Sequence, residues 1–145
     1  MIMDLTTLFS DGQAITADAA STNVVDLGAT GTIYGYSSPM VRDVGPGSTV
    51  PLFIGVTEGF NNLTSIAISI QTDSTPAFST PKTVWGPMTY TLAQLAVGAE
   101  YLLPDALPVG TNERYVRLYY DITGTAPTLG KITAGVVLGR QTNTR

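Results

Sequence analysis

The stretch NERYVRLYYDITGTAPTLGKITAGVVL, residues 112–138, decides the fold class. In its first half, apolar residues alternate with polar or aromatic residues, a two-residue period that is typical of a half-buried strand. Gly124, Pro127 and Gly130 interrupt this pattern, and a second alternating run begins at Lys131. The sequence therefore predicts two strands, and their closeness in the chain favours antiparallel pairing as a hairpin. A lone hairpin is barely stable in water, so the rest of the chain must supply more sheet.

Further short strands are predicted upstream, each bounded by Gly, Pro, Asn or Ser. They are Thr22–Leu27, Val50–Val56, Leu63–Thr72, Lys82–Trp85 (ending at Gly86-Pro87) and Glu100–Leu103. Thr89–Val97 is compatible with one helical turn at most, and no sustained helical period or internal repeat is visible. Residues 1–145 are therefore predicted to form a single all-β domain, a β-sandwich or jelly roll of about eight short antiparallel strands.

The core is expected between two sheets. The apolar face of residues 66–70 is predicted to pack against the apolar face of residues 116–120, across a core roughly 10 Å thick. Replacing Ile68 with Asp should then unfold the domain rather than impair a site.

The composition is low in charge. Charged residues make up 12% of the 145 residues, whereas about 25% is usual in a soluble domain. Low charge fits either a Thr-rich β-protein or a surface largely covered by other subunits, because charged residues are depleted at interface cores. The net charge of −4 and the absence of a Lys/Arg cluster argue against nucleic-acid binding. We also expect no signal peptide and no membrane span.

Residues for catalysis or metal binding are sparse. The chain has no His and no Cys, which excludes the commonest general base, a thiol nucleophile and Cys-ligated zinc. Its eleven acids are dispersed, most of them beside turns, where capping of the backbone explains them. A carboxylate pair formed in space by Glu58 and Glu100 and a calcium site in a loop are the minor alternatives. We therefore expect no enzyme activity, no metal and no cofactor.

Two segments near the N-terminus are candidates for partner contact. Residues 1–12 form an apolar leader that either packs on its own sheet or serves as a docking arm. Residues 28–47 form a long loop with five glycines and exposed or buried aromatics. A loop of this length is uncommon in a compact domain and usually functional. A short strand at Thr32–Tyr36 is the alternative.

A third candidate lies on the strand that begins after Asn112. Arg117 shares a face with Tyr115 and Tyr119, which is the composition of a binding surface. The alternative is an arginine packed between the tyrosine rings and paired with Asp121. Over the three segments, the candidate interface residues are Leu5, Leu8, Phe9, Tyr34, Tyr36, Met40, Arg42, Tyr115, Arg117 and Tyr119.

Several segments, taken in order, carry a family resemblance. They are LFSDGQAIT (Leu8–Thr16), STNVVDLG (Ser21–Gly28), IQTD (Ile70–Asp73), AFS (Ala77–Ser79), PVGTNERYVRLYY (Pro108–Tyr120) and GKITAG (Gly130–Gly135). Together they resemble the capsid cement proteins of tailed bacteriophages over nearly the whole chain.

The resemblance implies a jelly-roll protein that binds the outside of an assembled capsid and bridges neighbouring major capsid protein subunits. It further implies a homo-oligomer (a dimer or trimer), synthesis in the host bacterial cytoplasm and a final location on the virion exterior. Two alternatives come from other classes. One is a carbohydrate-binding module that uses Tyr115, Tyr119 or Trp85, and the other is a different virion part, such as a tail or head-completion subunit.

Overall fold

The computed structural model describes residues 2–47, 49–99 and 102–139. In this part of the chain, the alternating runs form eight strands and one short 3₁₀ turn. The strands are β1 (Met3–Ala14), β2 (Ala19–Ala20), β3 (Val25–Asp26), β4 (Leu52–Glu58), β5 (Leu63–Asp73), β6 (Lys82–Thr91), β7 (Tyr115–Gly124) and β8 (Lys131–Val137). The turn, Leu92–Gln94, lies inside the predicted helical stretch. The all-β prediction is confirmed.

The strands form two antiparallel sheets. The small sheet has the order β1-β8-β4, and the large sheet has the order β2-β7-β5-β6, with β3 also bonded to β7. Residues 98–99 and 102–107 lie along the outer edge of β4, where Leu102 N donates to Ile54 O at 3.0 Å and Leu52 N donates to Asp105 O at 2.8 Å. The chain thus crosses between sheets as a jelly roll does.

The predicted hairpin of residues 112–138 is wrong. β7 is bonded to β5 on one side and to β2 and β3 on the other, whereas β8 lies between β1 and β4. Residues 125–130 carry the chain from one sheet to the other. Each strand is central in its own sheet, so strands remote in sequence satisfy the hydrogen bonds on both of its edges. The two-residue period identifies a strand with one buried face, but it does not identify the neighbouring strand.

The prediction that residues 66–70 face residues 116–120 across the core is also wrong, because the two-residue period does not identify the neighbouring strand. Ile68 lies beside Tyr120 and Ile70 beside Leu118 within the large sheet, all four with no exposed surface. The opposite wall of the core comes from the small sheet. Its fully buried contributors are Phe9, Leu52, Ile54, Ile132 and Ala134.

A polar contact joins the two sheets at one corner of this core. The Oγ atom of Ser10 on β1 lies 2.9 Å from the hydroxyl of Tyr120 on β7. Ser10 also donates to the side chain of Gln13, which in turn donates to Ala20 O. Burial raises the pKa of Tyr120 well above its ordinary range, so the hydroxyl stays protonated.

The strand predicted to end before Gly86-Pro87 continues through it as β6. Gly86 has a φ of +85°, and a Cβ atom there would lie 2.7 Å from the carbonyl oxygen of Ile68. Glycine thus allows a bulge, seen as a register shift against Ile68–Ile70. The predicted Glu100–Leu103 strand falls partly outside the described residues, and neither Leu102 nor Leu103 is part of a strand.

Candidate interaction surface

Residues 28–47 form a long connection between β3 and β4, which we call the finger. As predicted, it is a loop, and the alternative strand at Thr32–Tyr36 is wrong. Tyr36 N donates to Ile33 O at 3.0 Å, and Met40 N donates to Gly31 O at 2.9 Å. These bonds close the outer part of the finger, residues 29–41, into a defined turn, which we call the tip.

One side of the finger's neck is fixed by an ion pair. The Asp26 carboxylate accepts two bonds of 2.7 Å from the Arg114 guanidinium and one of 2.8 Å from Gly28 N. The Arg114 bond, followed by the Gly28 bond, lowers the pKa of Asp26 to about 2. Arg42 donates to Leu27 O and to Gly28 O, so the two ends of the loop are tied together.

The other side of the neck is fixed to residues 108–114. The Asp43 carboxylate accepts a 2.8 Å bond from Gly110 N, and Val44 N donates to Thr111 O at 3.0 Å. Val44 and Thr111 also form an isolated antiparallel bridge. Both sides of the neck are therefore bonded to the body of the protomer.

The tip presents apolar side chains to solvent. Tyr34 is fully exposed, Val41 is 95% exposed and Tyr36 is 71% exposed. Ile33 and Met40 are each about half exposed. No charged residue occurs between Ala29 and Val41. A contiguous exposed apolar surface of this kind marks an interaction site more often than a chance feature.

The finger shares one end of the sandwich with several other loops. The hollow beneath it, about 470 Å³, is lined by Met40, Val41 and Arg42, by Ser74 of the β5–β6 loop, and by Arg114. The start of β1 and the end of β8 meet at the same end, since Met3 pairs with Val137 and Val137 N donates to Pro51 O. We call this end the finger pole, and the opposite end, where Asn61 bonds to Thr128 and Val97 lies beside Gly59, the distal pole. Exposed apolar residues at the finger pole outside the finger are Ile2, Leu5, Val109 and Leu138.

The face of β7 that was predicted as a binding surface is packed within the protomer. The Arg117 guanidinium lies 4.1 Å from the centre of the Phe78 ring and 6.0 Å from that of Tyr119. Its Nε donates to the Gln71 side chain at 2.9 Å. Burial lowers the pKa of Arg117, but not enough to remove its charge at neutral pH.

Arg117 therefore packs against aromatic rings, as the alternative predicted, but the nearer ring belongs to Phe78 and not to a tyrosine. Phe78 supplies a ring from the β5–β6 loop, and it is only 6% exposed. Among the residues that the structure describes, the salt bridges are Arg114–Asp26 and Lys131–Glu58, so the expected pairing with Asp121 is not formed. The carboxylate of Asp73 shapes the loop instead, accepting 2.9 Å bonds from Thr75 N and Thr80 N, and these bonds lower its pKa.

The N-terminal leader packs on its own sheet as β1. Phe9 is 1% exposed in the core, and Leu8 lies on Gly135, where an added Cβ would come within 2.9 Å of it. Leu8 and Phe9 are thus not surface residues of the protomer, and their assignment to an interface is corrected. Leu5 is exposed on a bulge between Met3 and Leu8.

The structure thus brings Tyr34, Tyr36, Met40 and Arg42 together on the finger and places Leu5 and Tyr115 at the same pole. Sequence reasoning left Ile33 and Val41 out of the candidate interface residues, although they are the same kind of residue on the same loop. It also missed Asp26 and Asp43, the carboxylates that hold the neck. An Asp at each end of a long Gly-rich loop was the available signal.

No glycan platform or metal centre is evident in the described residues. Trp85 packs against the core, Tyr119 contacts Arg117, and the Arg114 guanidinium lies 5.0 Å from the centre of the Tyr115 ring. Residues 2–47, 49–99 and 102–139 contain no group of three acids suited to a metal ion. Glu58 pairs with Lys131 at 2.7 Å, which lowers its pKa, and Glu100 lies outside the described residues. The described chain also has no helix long and apolar enough to cross a membrane.

The fold is a jelly roll, and its exposed apolar residues are concentrated at the finger pole. The family model Bbp16 matches residues 9–136, and the chain belongs to the Bbp16 family, whose name indicates a phage-related protein. No curated protein matches the chain.

Proposed function

We propose that this protein is a structural component of a phage virion that binds the outside of the assembled capsid. There it cements neighbouring subunits of the major capsid protein, without catalysis and without a cofactor. Membership of the Bbp16 family supports the phage context. The observation that carries the proposal is the ordered, uncharged tip of the finger, which leaves Tyr34 and Val41 in solvent on a fixed neck.

Cementing is a linkage effect. A protein that binds the assembled lattice, but not dissociated subunits, stabilises the lattice by mass action. Contacts that are weak one by one become effective when a homo-oligomer, a dimer or trimer, engages several lattice sites at once. The low charge of the chain suits this role, because charged groups are costly to bury in repeated interfaces.

The test is to mix the purified protein with empty capsids of the phage that encodes it, prepared without this protein, and to sediment them. We expect co-pelleting at a high stoichiometry related to the lattice, together with a higher temperature of capsid disruption. A few copies per capsid would instead indicate a head-completion or tail component. Binding to a glycan array without capsid association would overturn the proposal.

A further inference from the structure

The finger and the face of β7 are the two aromatic surfaces near the finger pole. Resting on the proposed capsid role, we infer that the tip of the finger is the anchor. It inserts into an uncharged, apolar pocket on the capsid shell, while the face of β7 serves the fold of the protomer.

The exposure of the side chains separates the two surfaces. In the tip, Tyr34, Tyr36 and Val41 are mostly or fully exposed and pack on no core. On β7, Arg117 already has Phe78 and Gln71 as partners. A partner that bound Arg117 would have to displace contacts that the protomer has formed, whereas a partner that bound the tip would only remove apolar surface from water.

The neck makes the tip an effective anchor. Asp26, Arg114 and Arg42 fix one side, and Asp43 fixes the other through Gly110. A loop that is already ordered loses less conformational entropy when it binds than a mobile loop does. Exposed aromatics on a rigid support are the residues that most often dominate the energy of an interface.

The charge distribution indicates what the pocket must be like. Residues 29–41 carry no charge, and the charged groups at the neck are already engaged, Arg114 with Asp26 and Arg42 with backbone carbonyls. An uncharged tip complements an uncharged pocket, and binding should depend little on salt. A membrane fits less well, because the chain has a net charge of −4 and Arg42 is engaged with backbone carbonyls.

A second copy of the chain is also a weaker candidate. The hollow under the finger is lined by Arg42, Asn112, Glu113 and Arg114 besides apolar residues. Inserting a neutral tip there would bury ion-paired groups without giving them new partners. We therefore assign the capsid shell protein, rather than a membrane or a second copy of the chain, as the partner of the tip.

The experiment compares the wild-type protein with the double variant Tyr34→Ser/Val41→Ser in pelleting isotherms on empty capsids. The matched control is Val97→Ser/Leu129→Ser, which removes exposed apolar residues from the distal pole. We expect the finger variant to bind about tenfold more weakly or worse, which corresponds to about 1.4 kcal/mol. The control should stay within about twofold, and all proteins should keep the wild-type melting temperature, since surface changes of this kind rarely alter stability.

The outcomes distinguish the inference from the proposed function. If the wild-type protein does not pellet with capsids, the proposed function fails. If it pellets and the finger variant binds equally well, the function stands and the anchor assignment fails. The assignment is also overturned if the variant changes the oligomeric state, or if the wild-type protein binds phosphatidylcholine vesicles through the tip. Wild-type affinity that falls steeply with added NaCl would contradict the uncharged pocket.

Discussion

The finger and the face of β7 contain the same kinds of residues and use them in opposite ways. On β7, the arginine is stacked on Phe78 and bonded to Gln71, so the aromatic and cationic groups satisfy one another. In the finger, Arg42 is turned back to the neck, where it bonds to Leu27 O, and the tyrosines of the tip are left in solvent.

The difference shows that composition alone does not make a binding surface. An aromatic residue next to an arginine is available to a partner only when the protomer does not already cover it. The β5–β6 loop covers the face of β7 by placing Phe78 on Arg117, and no such cover lies over Tyr34. Substitutions on the face of β7 should therefore lower the stability of the protomer more than substitutions in the tip do.

Removing the Phe78 ring that packs on Arg117 should destabilise the fold. Phe78→Ala deletes a ring that is 6% exposed, and we expect it to lower the free energy of unfolding by about 3 kcal/mol. Chemical denaturation measures the change. Tyr36→Ala, which removes a ring from the tip, is the matched control and should change the free energy by less than about 0.5 kcal/mol. Equal losses in the two variants would contradict the contrast.

Removing the arginine beneath the cover should have a smaller effect of the same kind. Arg117→Ala loses the stacking on Phe78 and the bond to Gln71, and should cost about 1–2 kcal/mol in thermal or chemical unfolding. Arg117→Lys keeps the charge but not the planar group, so its free energy of unfolding should lie between those of the wild type and Arg117→Ala. If Arg117→Ala weakened capsid binding and left the melting temperature unchanged, the face of β7 would be part of the capsid interface.

Acid should loosen the neck of the finger before it unfolds the domain. The pKa of Asp26 is lowered from 3.8 to about 2, chiefly by Arg114. Its stabilising contribution is therefore complete above about pH 4 and is lost as the pH falls towards 2. The Gly28 amide, which donates to Asp26, should titrate with a midpoint of about 2 in NMR spectra. A midpoint near 3.8 would show that the ion pair is not formed, and in Asp26→Asn the titration with a midpoint of about 2 should be absent.

Changing the tip should have the smallest effect on the protomer. Tyr34 is fully exposed, so Tyr34→Ala should leave the free energy of unfolding within about 0.5 kcal/mol of wild type. Differential scanning calorimetry of the isolated protein provides the measurement. A larger loss would mean that the ring supports the finger's own structure.

The strands could largely be predicted from the sequence, whereas their partners could not. The alternation at Leu63–Thr72 located β5 to within one residue, because a buried face imposes a period of two on any strand. The same period led to the wrong hairpin, because it carries no information about which strand lies alongside. Pairing depends on the whole set of strands, and the chain satisfies both edges of β7 and β8 with distant segments.

The part of the candidate surface that lies on the loop of residues 28–47 could be predicted from the length and composition of that loop. Tyr34, Tyr36 and Met40 were selected as candidates because a long Gly-rich loop with aromatics is usually functional, and the structure shows that all three are exposed. Leu8 and Phe9 were misassigned because an apolar leader looks the same whether it packs in cis or docks elsewhere. The neck bonds of Asp26 and Asp43 join residues far apart in the sequence, and only the folded chain reveals them.

The central place of β8 in the small sheet also bears on biosynthesis. β1 and β4 flank β8, which is the last strand in sequence among the residues that the structure describes. During translation, the first strand must therefore wait for the last before their sheet can close, and such distant pairing is slow. A nascent copy that stops before Lys131 lacks the central strand of the small sheet and cannot form the complete sandwich.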